Sequence, residues 1–304
     1  MKIIPRDTYL DKMIRVINTP DIKVITGVRR AGKSKLLELF KEYINNNVDN
    51  ANIIHINYNK KEFDNLLTGD ELYNYITNKY IKNKENFVLI DEIQKCKGFE
   101  DAINSVHAEE KYNIYITGSN AFLLSSDLAT LFTGRTFKID VYPFSFKEYN
   151  SYFNYDNPYL SINSYIKDGG MAGSYLYDNK EDKNAYLKDI YKTLILRDTV
   201  QKYNIKNEPL LNKLSDYLLD NISNITSSTK IENYLKNDLE TGDHKTISNY
   251  LDYLCNAFAF YRVRRYDIKG KTYLKSQDKY YLVDTSFRRA ILGRKEEDYG
   301  RILE

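Results

Sequence analysis

The sequence predicts an α/β fold whose first half is a parallel sheet with flanking helices. Apolar runs of strand length alternate with helical patterns up to about residue 142, which is typical of βαβ units. The expected strands are 22–26, 52–58, 87–91, 113–117 and 137–141, and the helical patterns between them lie near 33–46, 69–82 and 98–109. Because ligands of such sheets bind at the carboxyl ends of the strands, we expect the functional site at that edge.

The loop after the first strand carries the most specific motif in the chain. Residues 27–34 read Gly-Val-Arg-Arg-Ala-Gly-Lys-Ser, which matches G-x-x-x-x-G-K-[ST] in the strand–loop–helix setting that this motif requires. Glycines let the backbone aim its N–H groups at phosphate oxygens, and the helix that follows adds its positive end. We therefore predict a P-loop that binds a nucleoside triphosphate. Its residues are Gly27, Val28, Arg29, Arg30, Ala31, Gly32, Lys33, Ser34 and Lys35. Lys33 is expected to reach the β- and γ-phosphates and Ser34 to hold Mg²⁺.

Two acids follow the third expected strand. Four apolar residues, 87–90, precede Asp91 and Glu92, so both carboxylates are expected at the carboxyl end of a buried strand. Asp91 is expected to hold Mg²⁺ through a water and Glu92 to orient and polarise the attacking water. The alternative is an apolar strand that ends in two solvated acids. P-loop kinases and small GTPases generally lack a glutamate directly after the metal-binding aspartate, so the pair favours hydrolysis over transfer to a small acceptor.

Three further residues are catalytic candidates. Ser119 and Asn120 follow the fourth expected strand and are expected to sense the γ-phosphate, although an ordinary turn explains the same residues. Arg135 precedes the last strand and is a candidate arginine finger, and action in trans would require a homo-oligomer. A surface arginine at a strand start is the alternative.

The chain resembles the prokaryotic AAA-family ATPases described only as ATP-binding proteins, whose usual companion is a C-terminal domain of unknown function. The resemblance covers essentially the whole chain and is carried by residues 24–34, 89–94, 117–119, 133–135, 142–149, 165–170, 196–198, 246–251 and 279–284. It implies ATP and Mg²⁺ as ligands. Lys35 departs from the threonine that is more frequent in that family. The family's final domain, which is similar to restriction-type nucleases, is expected to be absent, so no nuclease activity is expected of these residues.

The second half is expected to comprise a helical lid region, 143–208, and a winged-helix domain with a C-terminal segment, 209–304. The periodicity predicts one long helix over 181–203, then helices near 209–223, 227–239 and 245–258. Strands are expected at 260–266 and 273–283. Arg197 is a candidate lid arginine by analogy with related ATPases, and an ion pair is the alternative.

Basic residues in the expected wing are candidate contacts to DNA. Arg262, Arg264 and Lys269 are the residues expected to contact phosphates if DNA is bound. The third helix offers little positive charge, so a solvated wing on a protein-docking module is the alternative.

Composition excludes several classes of function. The 45 basic and 42 acidic residues give a net charge of +3, which does not indicate an obligate nucleic-acid coat. We expect a cytoplasmic protein without membrane segments, because no signal-peptide pattern and no run of about 18 apolar residues is present. The two cysteines and three histidines match no disulfide framework or zinc spacing. The preferred function is an ATPase switch. The alternatives are an ATP-regulated DNA-binding protein and, less favoured, a small-molecule phosphotransferase.

Overall fold

The computed structural model describes residues 4–118, 132, 134–235, 243–264, 277–293 and 300–301, except for the side chains of 158 and 195–198. The chain forms two compact units, Met1–Val141 and Tyr142–Glu304. Within the described ranges, no helix is long and apolar enough to cross a membrane.

The N-terminal unit is built on a five-stranded sheet whose neighbouring strands are all parallel, in the order β2-β3-β4-β1-β5. The strands are β1 Ile22–Thr26, β2 Ala51–Asn57, β3 Glu85–Asp91, β4 Tyr112–Thr117 and β5 Thr136–Asp140. The helices are α1 Asp7–Arg15, α2 Lys33–Asn47, α3 Gly69–Asn78 and α4 Phe99–Ala108. The parallel sheet with flanking helices is confirmed, whereas α1 was not predicted.

The register of the sheet brings three strand ends to one edge. Ile25 pairs with Thr117, and Ile90 pairs with Ile116, so β1, β3 and β4 end at nearly the same level. Strand β3, which lies between β2 and β4, is fully buried from Phe87 to Ile90, as its apolar run predicts for a strand covered on both faces. The loop after β1 and the acids after β3 therefore meet at the carboxyl edge.

The C-terminal unit is mainly helical and includes a small antiparallel sheet of order β6-β8-β7. Its helices are α5 Phe146–Phe153, α6 Pro158–Asp168, α7 Lys180–Lys192, α8 Glu208–Asp220, α9 Ser228–Leu235, α10 His244–Asn256 and α11 Thr285–Leu292. Its strands are β6 Ile225–Thr226, β7 Phe260–Arg264 and β8 Asp278–Leu282. Neither β6 nor α11 was predicted.

Two local predictions in this unit need correction. The expected long helix over 181–203 continues beyond α7 with π-type hydrogen bonding over Thr193–Val200 before a last turn, Gln201–Tyr203. The third helix of the expected winged domain begins at His244, one residue before the predicted start at 245, and is capped by Asp243, whose carboxylate accepts from the Thr246 N–H at 2.8 Å. The sequence pattern placed that helix start one residue late because the capping aspartate was not recognised.

A buried carboxylate joins α11 to the loop after α6. Asp284 is 5% exposed and accepts hydrogen bonds from the Gly170 N–H at 2.6 Å, the Ser286 N–H at 3.0 Å and the Ser286 hydroxyl. Burial raises the pKa of Asp284 from 3.8 to about 6, although the Ser286 and Gly170 donors oppose that shift. The folded chain thus holds a proton on this group at pH values where the unfolded chain has released it.

This carboxylate makes stability depend on pH. Because the folded pKa is the higher one, the free energy of unfolding should fall as pH rises from about 4 to about 6 and stay level above that. The difference between a pKa of 3.8 in the unfolded chain and about 6 in the folded chain corresponds to about 3 kcal/mol at most. Urea unfolding measures this free energy at each pH. It should fall across this range in the wild type and should stay level in Asp284→Asn. The exposed Asp178→Asn is the control and should retain the wild-type dependence. Parallel curves for the wild type and Asp284→Asn would contradict this assignment.

Candidate nucleotide site

The predicted P-loop joins β1 to α2 through a tightly packed backbone. Gly27 has φ +142°, and a Cβ at this position would lie 2.0 Å from the carbonyl oxygen of Val141, so only glycine fits. Gly32 has φ +95° and directly precedes α2. Between them, Ala31 N–H donates to the Val28 carbonyl at 3.1 Å and closes a turn. Gly27 thus allows a close approach of the backbone, and Gly32 supplies the left-handed conformation directly before α2.

The P-loop lysine is buried against its own loop. Lys33 is 5% exposed, and its Nζ donates to the carbonyls of Gly27 at 2.8 Å and Val28 at 3.1 Å. Lys35, also predicted to bind the nucleotide, has its Nζ 2.6 Å from Glu38 Oε2 in an exposed pair on the helix surface. Its ammonium group is therefore engaged away from the loop.

Asp91 lies at the carboxyl end of β3 and is 1% exposed. Its Oδ1 accepts from the Thr117 hydroxyl at 2.5 Å, while Oδ2 has no hydrogen-bond partner among the described residues. Burial raises the pKa of Asp91, and the hydroxyls of Thr117 and Ser34 and the charge of Lys33 oppose that shift.

These residues fit a magnesium ion. A buried carboxylate oxygen without a partner is costly unless a cation or an ordered water satisfies it. Asp91 Oδ2 is such an atom, and the Ser34 hydroxyl lies close enough to affect the same carboxylate. Hard oxygen donors of this kind are those that Mg²⁺ prefers, and the ion commonly retains several waters.

Glu92 follows in a left-handed backbone conformation with φ +59°. Its N–H donates to the Thr117 hydroxyl at 3.2 Å, and its Oε2 accepts from the Gln94 amide at 2.5 Å. Thr117, which is fully buried, therefore bridges Asp91 and Glu92. Strained backbone of this kind concentrates at functional sites, where the surrounding structure enforces it.

The other candidates from the sequence have different outcomes. Arg135 is exposed and precedes β5, where its carbonyl accepts from the Ile22 N–H at 2.8 Å. That contact is at the amino end of β1, opposite the P-loop, so Arg135 does not join the site of its own chain. Its role as a finger in trans stays a prediction. Ser119 and Asn120 lie outside the described residues, as does the side chain of Arg197.

Two residues that contact this site, Thr117 and Gln94, were not predicted from the sequence. Thr117 ended a predicted strand beside β3, so its position was foreseeable but its two hydrogen bonds were not. The Gln94 contact depends on the left-handed backbone at Glu92, which no sequence pattern predicted.

Comparison with known proteins agrees with the described fold. Residues 19–150 match an AAA domain, and residues 160–298 match a domain of unknown function, DUF8612. An uncharacterized protein of Haemophilus influenzae is 36% identical over 99% of this chain and 77% of its own length. The chain belongs to the same family as this protein, and its two matched regions are an AAA domain and DUF8612. The uncharacterized protein MJ1544 of Methanocaldococcus jannaschii is 30% identical over 100% of this chain and 69% of its own length.

A solved structure also resembles this AAA-domain protein in fold. The Walker-type ATPase PABY2304 of Pyrococcus abyssi superposes with a TM-score of 0.56, covering 95% of each chain at 16% identity. Identity this low supports a shared fold alone. The chain therefore has the AAA-type P-loop ATPase fold, joined to the C-terminal domain of its family.

Proposed function

We propose that this chain binds ATP with Mg²⁺ and hydrolyses it to ADP and phosphate. The observation that carries the proposal is the buried Asp91 carboxylate, which has an unpartnered Oδ2 atom and whose pKa is lowered by the Ser34 hydroxyl and the Lys33 charge against the effect of burial. Groups suited to bind a metal ion and phosphate thus lie at the carboxyl edge of a parallel sheet, where nucleotides bind in such folds.

Each residue has a distinct part in this mechanism. Lys33 would pair with the β- and γ-phosphates, and the Ser34 hydroxyl and the Asp91 carboxylate would hold Mg²⁺. When bound, Mg²⁺ would offset negative charge on the phosphate oxygens. Glu92 orients a water for attack on the γ-phosphorus and accepts its proton through the oxygen that Gln94 does not occupy.

Calorimetry and phosphate release test this proposal directly. The purified chain should give binding heat with Mg–ATP and should release phosphate, and EDTA should abolish the release. Binding of Mg–GTP in parallel decides the base preference. If neither triphosphate gives heat, the proposal fails. A phosphorylated small-molecule acceptor in place of free phosphate would support a phosphotransferase instead.

Replacing Thr117 tests the bridge between the two acids. Thr117→Val keeps the shape of the side chain but leaves Asp91 Oδ1 and the Glu92 N–H without this partner. We expect turnover at least tenfold lower and a higher Mg²⁺ concentration at half-maximal rate, because each of the two lost buried hydrogen bonds is worth about 1–3 kcal/mol. Thr117→Ser retains the hydroxyl and should remain within about twofold of the wild type. Equal kinetics in the Val and Ser variants would exclude the bridging role.

We further propose that 209–304 is a winged-helix domain whose state follows the nucleotide. The support is the order of elements, in which α8 is followed by β6, then by α9 and α10, and then by β7 and β8. The three strands form one antiparallel sheet with β8 between the others. Hydrolysis is proposed to change how this domain and the lid region 143–208 are held. Limited proteolysis with Mg–ADP and with a non-hydrolysable analogue should then give different cleavage patterns.

Within this proposed domain, the described contacts favour a docking module over a DNA reader. Arg262 Nη1 lies 2.6 Å from Asp252 Oδ1, and its Nε lies 3.9 Å from Asp278 Oδ2. This guanidinium is thus engaged within the unit. Arg264 is exposed, and Lys269 lies outside the described residues. Salt-dependent binding of duplex DNA that weakens in Arg264→Ala would favour the DNA alternative, and no binding at low salt would remove it.

A further inference from the structure

Arg6 reaches the P-loop from outside the matched AAA domain, which begins at residue 19. Its Nη1 donates to the carbonyl of Ala31 at 2.7 Å, and its guanidinium lies over the Tyr9 ring, 4.5 Å from the centroid. Both partners of this hydrogen bond are buried, since Arg6 is 3% exposed and Ala31 is 4% exposed. A hydrogen bond from a charged donor is stronger than one between neutral groups, especially away from water.

The same residue begins helix α1. The Arg6 carbonyl accepts from the N–H groups of Tyr9 at 2.9 Å and Leu10 at 3.0 Å. Towards the other end of the helix, the fully buried Met13 has its carbonyl bonded to the Tyr115 hydroxyl of β4 at 2.9 Å. Helix α1 is thus fixed to the sheet, and Arg6 extends from a rigid support to the loop.

The guanidinium also lies beside the last glycine of the loop. A Cβ at Gly32 would be 3.9 Å from Arg6 Nη1, so the cation is adjacent to the peptide groups that precede α2. These are the backbone N–H groups that receive phosphate in a P-loop. A poorly hydrated positive charge here attracts an anion more strongly than it would in water.

We propose that Arg6 is a positioning residue for the P-loop and makes α1 part of the nucleotide site. Arg6 fixes the Ala31 carbonyl, and through it the orientation of the neighbouring loop peptides, while its charge adds to that of Lys33. The inference rests on the nucleotide binding proposed above. Nucleotide binding and the Arg6–Ala31 contact should therefore be coupled. The contact should favour nucleotide binding, and bound nucleotide should in turn stabilise the contact.

Calorimetry with Mg–ADP and with a non-hydrolysable Mg–ATP analogue is the first test. Arg6→Met removes the charge and the donor, and we expect at least tenfold weaker binding of both nucleotides. Arg15→Met is the matched control, because it removes an exposed arginine from the same helix, and it should stay within twofold of the wild type. A purely structural Arg6 would lower the unfolding temperature but leave affinity below that temperature unchanged. Wild-type affinity in folded Arg6→Met would overturn the inference.

Hydrogen exchange is the second test and needs no folded Arg6→Met protein. In the wild type, saturating Mg–ADP should slow exchange of the α1 amides, residues 7–15. Arg6→Lys keeps a charge but replaces the planar donor, and it should reduce both this protection and nucleotide affinity at least threefold. Unchanged α1 exchange in nucleotide-saturated wild type would overturn the inference and leave the proposed function intact. A wild type that binds no nucleotide would instead overturn the proposed function, and this inference with it.

Discussion

Glu92→Gln should lower ATP turnover by about 10²–10⁴-fold, the range that a positioned general base contributes. The substitution keeps the size of the side chain and an oxygen that can accept from the Gln94 amide, so the local geometry should persist. An amide cannot take the proton of the attacking water. Affinity for Mg–ATP should therefore change by no more than a few fold, and calorimetry with phosphate release under single-turnover conditions separates the two effects.

Glu38→Gln is the control for this experiment. Glu38 is a partly exposed glutamate of α2 whose carboxylate pairs with Lys35, away from the strand ends that carry the acids. Its replacement should leave turnover near the wild-type value. Undiminished hydrolysis in Glu92→Gln would remove Glu92 from its proposed role, whereas loss of binding would make it part of the nucleotide pocket.

Lys33→Met should weaken Mg–ATP binding by about 100-fold or more. The ammonium is buried, and a hydrogen bond from a charged donor is worth about 1.5–3 kcal/mol, so the loss of two such bonds to phosphate exceeds 2.7 kcal/mol. Calorimetry measures the affinity, and circular dichroism checks that the variant folds despite losing its bonds to the loop carbonyls.

The neighbouring lysine offers a matched control for this charge. Lys35→Met removes the same group two residues further along α2, where it forms an exposed pair with Glu38. Exposed pairs contribute about 0–1 kcal/mol, so affinity and stability should both stay close to the wild type. Equal loss of affinity in the two variants would indicate a general effect of positive charge and not a specific phosphate contact.

Local patterns of sequence predicted much of the first unit. The apolar run of β3 followed by Asp91 and Glu92 located a buried strand end, and the motif at 27–34 located the loop, because each depends on residues close together in the chain. Tertiary contacts were beyond such patterns. The Arg6–Ala31 hydrogen bond joins residues 25 positions apart, and Thr117 reaches Asp91 across 26.

The second unit was predicted less completely for the same reason. Its longest helical pattern was recognised, but the π-type hydrogen bonding over Thr193–Val200 is a departure from regular geometry that a 3.6-residue period does not reveal. Strand β6 has only two residues and owes its pairing to β8, more than 50 positions later. A segment this short carries no periodicity of its own.

The left-handed backbone at Glu92 lowers the stability of the fold at the residue that is proposed to activate water. A residue with a Cβ pays about 1 kcal/mol or more in this conformation, which glycine adopts freely and asparagine tolerates. Glu92→Gly should relieve this backbone strain and lower turnover at least as strongly as Glu92→Gln. Related chains released from selection for turnover should accumulate glycine or asparagine at this position, which makes it a marker for members that bind nucleotide only as a structural ligand.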